Sequence, residues 1–107
     1  MSWRVVVRPE AGDDIVQAAD WYDARDEGLG AEFAEEVLRV LDALATNPLL
    51  HARRHTRKNI RWRYPDRFPY RVIYEVIEDE GTVVVLAVLH AARDERYWQE
   101  RITNADE

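Results

Sequence analysis

RFPYRVIYEVIEDEGTVVVLAVLH, residues 67–90, decides the fold. Its first half alternates. Tyr70, Val72, Tyr74 and Val76 fall on one side of an extended chain, and Arg71, Ile73, Glu75 and Ile77 on the other. A period of two is that of a strand, in which successive side chains point to opposite faces. Glu78-Asp79-Glu80-Gly81 is a polar hairpin loop ending in glycine. TVVVLAVLH, residues 82–90, is then apolar at almost every position. A strand that is apolar on both sides is covered on both faces, so this one belongs in the middle of a sheet.

The flanks extend the pattern. Residues 3–8, WRVVVR, are short and β-branched and predict a strand. Pro9 and Glu10 suit a first helical turn, where proline loses no hydrogen bond and an acid meets the positive end of the helix dipole. Ala11, Ile15, Ala18, Ala19 and Tyr22 recur at helical spacing as far as about Arg25, with Asp13, Asp14, Asp20 and Asp23 on other faces. Gly28 and Gly30 are expected to break that helix. A second helix is predicted from about Ala31 to Ala45 on the stripe Phe33, Val37, Val40, Leu41 and Leu44. Asn47-Pro48 stops it, because the residue before proline avoids helical backbone. So short a connection favours an antiparallel helical hairpin. Ile60, Trp62 and Tyr64 alternate with Arg61 and Arg63 in a further strand. Ala91 to Ile102 predicts a short helix or turn with Tyr97, Trp98 and Ile102 to pack, and residues 103–107 are expected to fray. The order β-α-α-β-β-β plus a C-terminal helix or turn is an α+β domain over residues 1–107: a helical hairpin on a small, largely antiparallel sheet.

Composition narrows the function classes. A chain of 107 residues that is 47% hydrophobic folds as one domain with one modest core. It has no cysteine, hence no disulfide framework and no thiolate metal site, which agrees with a reducing cytoplasm. MSWRVVVRPE lacks the apolar run of about 7–15 residues that a signal peptide needs, and no stretch predicts a membrane span. The net charge of −6 is unevenly spread: residues 1–50 carry −7, residues 51–74 carry +7 and residues 75–107 carry −6. HARRHTRKNIRWR, residues 51–63, holds six of the cations and no acid. His51 and His55 stand four apart, but their Arg-rich surroundings offer no carboxylate or thiolate to complete a zinc site. No glycine-rich phosphate loop or nucleophile elbow is present. Trp3, Trp21, Trp62 and Trp98 are read as core or interface anchors.

Four linked pieces carry a resemblance: VVVRPEAGDDIVQAADWY, GLGAEFAEEVLRVLDALATNP, RFPYRVIYEV and VVVLAVLHAARD. In this order and spacing they resemble the RelE/ParE superfamily of type II toxin–antitoxin toxins, also known as plasmid stabilisation proteins, over roughly residues 4–98. The resemblance implies a small cytoplasmic bacterial toxin, held inactive by a cognate antitoxin, that meets operator DNA only through that antitoxin. Two targets divide the superfamily. The ParE branch poisons DNA gyrase; the RelE branch cuts messenger RNA in the ribosome. The VLHAARD ending is more similar to the ParE branch, although Ala91 stands where glycine is usual. On that side the chain is a binding protein and not an enzyme, with Arg71, Arg93 and the basic loop as contacts. On the RelE side it is a metal-free endoribonuclease, and the resemblance assigns phosphate-stabilising and acid–base roles to Arg71, His90, Arg93 and Tyr97. A third outcome is a non-toxic member that only binds its antitoxin. None of these calls for a cofactor or a metal ion.

Each candidate also has a plainer role open to it. Arg71 sits mid-strand, where it could instead hold an acid of the first helix, such as Asp20, or a backbone carbonyl. His90 ends a strand and could cap local carbonyls. Tyr97 and Trp98 have the spacing of core residues, and Arg93-Asp94 of a local ion pair of small worth. Arg53, Arg54, Arg57, Lys58, Arg61 and Arg63 form a solvated face, a landing site for an acidic antitoxin segment, or a phosphate-binding surface.

Overall fold

The computed structural model describes residues 2–55, 57–93 and 95–105. Its elements follow the expected order: β1 (Arg4–Val7), α1 (Pro9–Arg25), α2 (Leu29–Thr46), β2 (Ile60–Arg63), β3 (Tyr70–Ile77), a single 3₁₀ turn (Glu78–Glu80), β4 (Thr82–His90) and α3 (Glu95–Ala105). The sheet order is β1-β4-β3-β2. β3 runs antiparallel to both β2 and β4, whereas β1 lies parallel to β4, with Arg4 opposite Thr82 and Val7 opposite Val85.

β4 is covered on both faces, as its composition demands. On one face Val83, Val85 and Val88 join Val72, Tyr74 and Val76 of β3 and pack against Ala11, Ala18, Phe33, Val37 and Leu44 of the helical hairpin. On the other, Ile60, Ile73, Leu86, Ala87 and Leu89 pack against Trp98 and Ile102 of α3. The C-terminal segment is therefore an eleven-residue helix that forms a third layer, and its backbone stays helical to Ala105. Strict alternation cannot put both Leu86 and Ala87 on one face. The ladder slips between Ile73, opposite Ala87, and Tyr74, opposite Val85, so Leu86 is the extra residue of a bulge.

The helical hairpin corrects one expectation. Gly28, in the left-handed region at φ 91°, opens α2 where a side chain would be strained. Gly30 breaks nothing: it is buried inside the first turn of α2. Its N–H donates to Asp23 Oδ1 of α1 at 2.7 Å. A Cβ here would come within 2.8 Å of Asp23 Cγ and closer still to the Ala19 carbonyl. Glycine is needed for close approach of two helices, not to end one. At the other end of α2, Pro48 is buried and its carbonyl accepts the Tyr74 hydroxyl at 3.2 Å, which satisfies the polar end of a fully buried ring.

Candidate functional site

The basic segment is a loop laid along the outer edge of β2. The Arg54 N–H donates to the Ile60 carbonyl at 2.7 Å. His55 Nδ1 accepts the N–H groups of Arg57 and Lys58 at 3.1 and 3.0 Å, which tightens the turn. Arg61 acts inside the loop: its Nε reaches Asn59 Oδ1 at 2.8 Å, and its Nη1 reaches the carbonyls of Leu49, at 3.0 Å, and His51. Arg63 borders a recess of about 130 Å³ with Glu36, Arg39 and Tyr64. Burial lowers the pKa of His51, and the charges of Arg63 and Arg54 push it the same way. Arg53, Arg54 and Arg57 are exposed.

Arg71 does not reach the first helix. It shares a sheet face with Ile73, which packs under α3, so the sheet separates it from α1 and Asp20. Its Nε donates to the Tyr64 hydroxyl at 3.2 Å, and its guanidinium lies 4.5 Å from the centre of the Trp62 ring. The Arg54 guanidinium lies over the same ring at 4.8 Å, and Trp98 meets that ring edge-on at 5.7 Å. Arg54, Trp62, Arg71 and Tyr64 thus form one cationic–aromatic platform on the α3 side of the sheet.

His90 and Arg93 lie elsewhere. His90 pairs with Tyr70 across the ladder, and the two rings meet at 5.3 Å on the side of the helical hairpin. His90 Nδ1 accepts the Ala92 N–H at 3.0 Å, and the His90 carbonyl accepts the Arg93 N–H at 2.9 Å. The imidazole therefore holds the turn through amides, not through carbonyls, and in its neutral form it carries its proton on Nε2. Asp14, Gln17, Trp21, Tyr70, His90 and Arg93 border a recess of about 180 Å³. Burial raises the pKa of Tyr70, against the opposing charge of Arg93. Trp21 is 49% exposed at this rim, so it anchors no core. Trp98 is buried as expected, but its neighbour Tyr97 is 43% exposed, with Arg93 and Arg101 over its ring at 4.5 and 5.5 Å. The four residues of the nuclease reading are thus divided: His90 and Arg93 border the recess at the end of β4, Tyr97 of α3 meets Arg93, and Arg71 stands on the sheet face opposite His90. Asp94, the other half of the suggested ion pair with Arg93, lies outside the described residues.

Two pairs absent from the sequence reading hold the site's frame. Asp14 Oδ2 accepts the Val88 N–H at 2.9 Å and Arg101 Nη1 at 2.5 Å. Glu36, 4% exposed on α2, accepts the Arg67 N–H at 3.0 Å and its Nε. No sequence signal links residues 31 or 87 positions apart. Burial alone would raise the pKa of Glu36, but the Arg67 hydrogen bonds, with the charges of Arg67 and Arg39, hold it below the usual carboxylate range. A carboxylate depressed in the folded state adds stability above its unfolded pKa and loses it as pH falls through the folded value. Glu36→Gln should therefore cost about 1–2 kcal/mol near neutral pH. The gap should narrow as pH falls below the unfolded carboxylate pKa of about 4.3 and on through the lower folded value. Urea unfolding at pH 7 and pH 3.5 checks this, and an equal gap at both would sink it.

A helical hairpin and a C-terminal helix cover opposite faces of the β1-β4-β3-β2 sheet, and the sequence places a chain of this fold among the toxins of the RelE/ParE superfamily. The chain belongs to the family of ParE toxins of type II toxin–antitoxin systems (ParDE), whose sequence model matches residues 5–95. Its fold is similar to that of an E. coli RelE mutant in the free state, with a TM-score of 0.72 at 19% identity over 97% of this chain and 98% of that one. It is also similar to a chain of the chromosomal ParDE system from P. aeruginosa, with a TM-score of 0.69 at 13% identity over 83% of this chain and 96% of that one. The RelBE2 toxin–antitoxin complex from Mycobacterium tuberculosis contains a third similar chain, with a TM-score of 0.60 at 20% identity over 84% and 99%. No curated protein matches in sequence. Among the described residues no helix is long and apolar enough to cross a membrane.

Proposed function

We propose that this toxin acts by binding and inhibiting DNA gyrase, and that a cognate antitoxin neutralises it in the cytoplasm. One observation carries the choice against RNA cleavage. Acid, base and phosphate-stabilising groups must converge within hydrogen-bond reach of one phosphate. Here Arg71 is engaged with Trp62 and Tyr64 on one face of the sheet, and His90 holds a turn on the other. A binding protein has no such requirement; separated cations serve it as well as clustered ones. An antitoxin partner is in keeping with the ParDE family and with the toxin–antitoxin complexes among the similar structures.

The purified toxin should inhibit supercoiling by gyrase and leave messenger RNA intact in a translating ribosome extract. Cleaved RNA with unaffected gyrase would reverse the assignment, and inertness in both assays would leave a chain that only binds its antitoxin. Arg93→Ala, which removes an exposed charge at the end of β4, should raise the inhibitory concentration by about tenfold or more, as expected for a lost contact of about 1.5–3 kcal/mol. Arg71→Ala should act in the same direction. Antitoxin binding by both variants should stay close to that of the parent. A variant that arrests growth like the parent would show that its arginine serves the fold alone.

A further inference from the structure

We infer that the basic loop before β2 is a contact surface for the phosphate backbone of double-stranded DNA, independent of base sequence and separate from the recess at the end of β4. Charge comes first. Residues 51–74 carry +7 in a chain of net charge −6. Of the acids near the loop, Glu32 and Glu36 are engaged by Arg67, Glu78 accepts the Asn59 side-chain amide at 3.3 Å, and Glu75 lies opposite Ile60 in the ladder. Among the described residues, none of Arg53, Arg54, Arg57 and Arg71 is paired with a carboxylate. Fields are screened over about 8 Å at physiological salt, so a phosphate at the loop tip responds mainly to the loop cations and little to the distant acids of the helices.

Geometry then separates a duplex from the other polyanions. A single strand is held by bases stacked on open aromatic faces. Trp62, the ring central to this surface, already carries the guanidiniums of Arg54 and Arg71 and the edge of Trp98. An acidic peptide would need apolar anchors as well as charge. At the loop tip Arg53, Arg54 and Arg57 are exposed cations beside the small Ala52, and the exposed apolar side chains Leu49 and Leu50 lie at the base of the loop, before the turn. The turn that presents them is fixed by His55 Nδ1 and by the Arg54–Ile60 backbone bond, so little ordering is needed when phosphates arrive. Fixed cations at the loop tip, around a central indole that is already occupied, suit a duplex backbone.

The test uses the full chain and no gyrase, so its outcome is independent of the target proposed above. Binding of a fluorescent 20-base-pair duplex is followed by anisotropy as salt is raised. With about four phosphates neutralised, affinity should fall about a hundredfold between about 50 and 200 mM salt. Arg53→Gln with Arg57→Gln should shrink that fall to about tenfold, a slope lower by about two. Arg53→Lys with Arg57→Lys should keep the parent slope, because a phosphate accepts either cation. Arg4→Gln with Arg25→Gln removes the same net charge from β1 and α1, and should also leave the slope unchanged. An equal loss in that control would assign the effect to net charge and overturn the inference. So would salt-independent or absent binding, tighter binding to a 20-nucleotide RNA, or equal competition by a polyglutamate peptide.

Discussion

Asp14→Ala should lower the stability of the folded chain by about 3–4 kcal/mol, on the order of 15 °C in Tm for a domain of this size. The effect is large because one carboxylate joins three elements. β1 ends at Val7, so beyond Val85 the matching edge of β4 has no strand beside it. Asp14 of α1 reaches this open edge and accepts the Val88 N–H at 2.9 Å. Arg101 of α3 closes the same edge, with Nη1 at 2.5 Å from Asp14 Oδ2 and 3.3 Å from the Leu86 carbonyl. The two side chains are only 11% and 16% exposed, respectively. Alanine at 14 leaves a largely buried guanidinium without its counter-charge and a strand amide without its acceptor, and both losses are costly. Asp14→Asn keeps an acceptor for the amide and should cost distinctly less. In a double-mutant cycle, Arg101→Ala should recover at least about 1 kcal/mol of the Asp14→Ala loss, since it removes the stranded charge. Denaturant unfolding of the four proteins of the cycle and of Asp14→Asn decides it. If Asp14→Ala and Asp14→Asn both unfold within about 0.5 kcal/mol of the parent, the carboxylate is not what secures α3.

That edge also shows how far the sequence could be read. The β3–β4 hairpin and both long helices were legible because each has a period, and a period reports which residues share a face. The partner of β1 was not. Arg4–Val7 contributes three valines in four residues, which predict a strand but say nothing of its neighbour or direction. α3 was ambiguous because, among its described side chains, Trp98 and Ile102 alone are buried in the second core, too few to establish a helical stripe. The side of Arg71 was available all along: it is out of phase with Tyr70, Val72 and Tyr74, so it cannot face the same helices. An ion pair with Asp20 broke that parity. Among the basic residues, composition treated Arg61 and Arg53 alike. The fold separates them, because Arg61 points back toward the carbonyls of the loop that follows α2.

The same division applies to function. Charge segregation was visible as a sum over residues 51–74, but it could not say which cations remain available to a partner. Arg67 is taken by Glu36 and Glu32, Arg61 by the loop carbonyls, and Arg54 and Arg71 share one indole. Arg93 stands apart, beside Tyr97 and the recess behind β4. The available cations thus fall on two separate surfaces, one at the basic loop and one at the end of β4.

Gly30→Ala should destabilise the chain by about 3 kcal/mol, although the same change in most helices helps. In a helix interior alanine is favoured over glycine by about 1 kcal/mol, partly because glycine gains more freedom on unfolding. Gly12, inside α1, obeys that rule: nothing lies within 4 Å of the position its Cβ would take. Gly12→Ala should therefore stabilise by about 0.5–1 kcal/mol. At Gly30 the methyl group meets the Ala19 carbonyl and Asp23, whose Cγ would lie only 2.8 Å away. A backbone oxygen cannot rotate aside as the end of a side chain can. The helices must move apart, which strains the Gly30–Asp23 hydrogen bond and loosens the packing of Phe33 and Val37 behind it. The cost of overpacking, typically 1–3 kcal/mol and sometimes more, then exceeds the gain in propensity. Two alanines placed in adjacent helices should thus shift the unfolding midpoint in opposite directions, by about 4 kcal/mol in all. Parallel urea titrations of the two variants test this, and a stabilised Gly30→Ala would mean that α1 and α2 do not approach this closely.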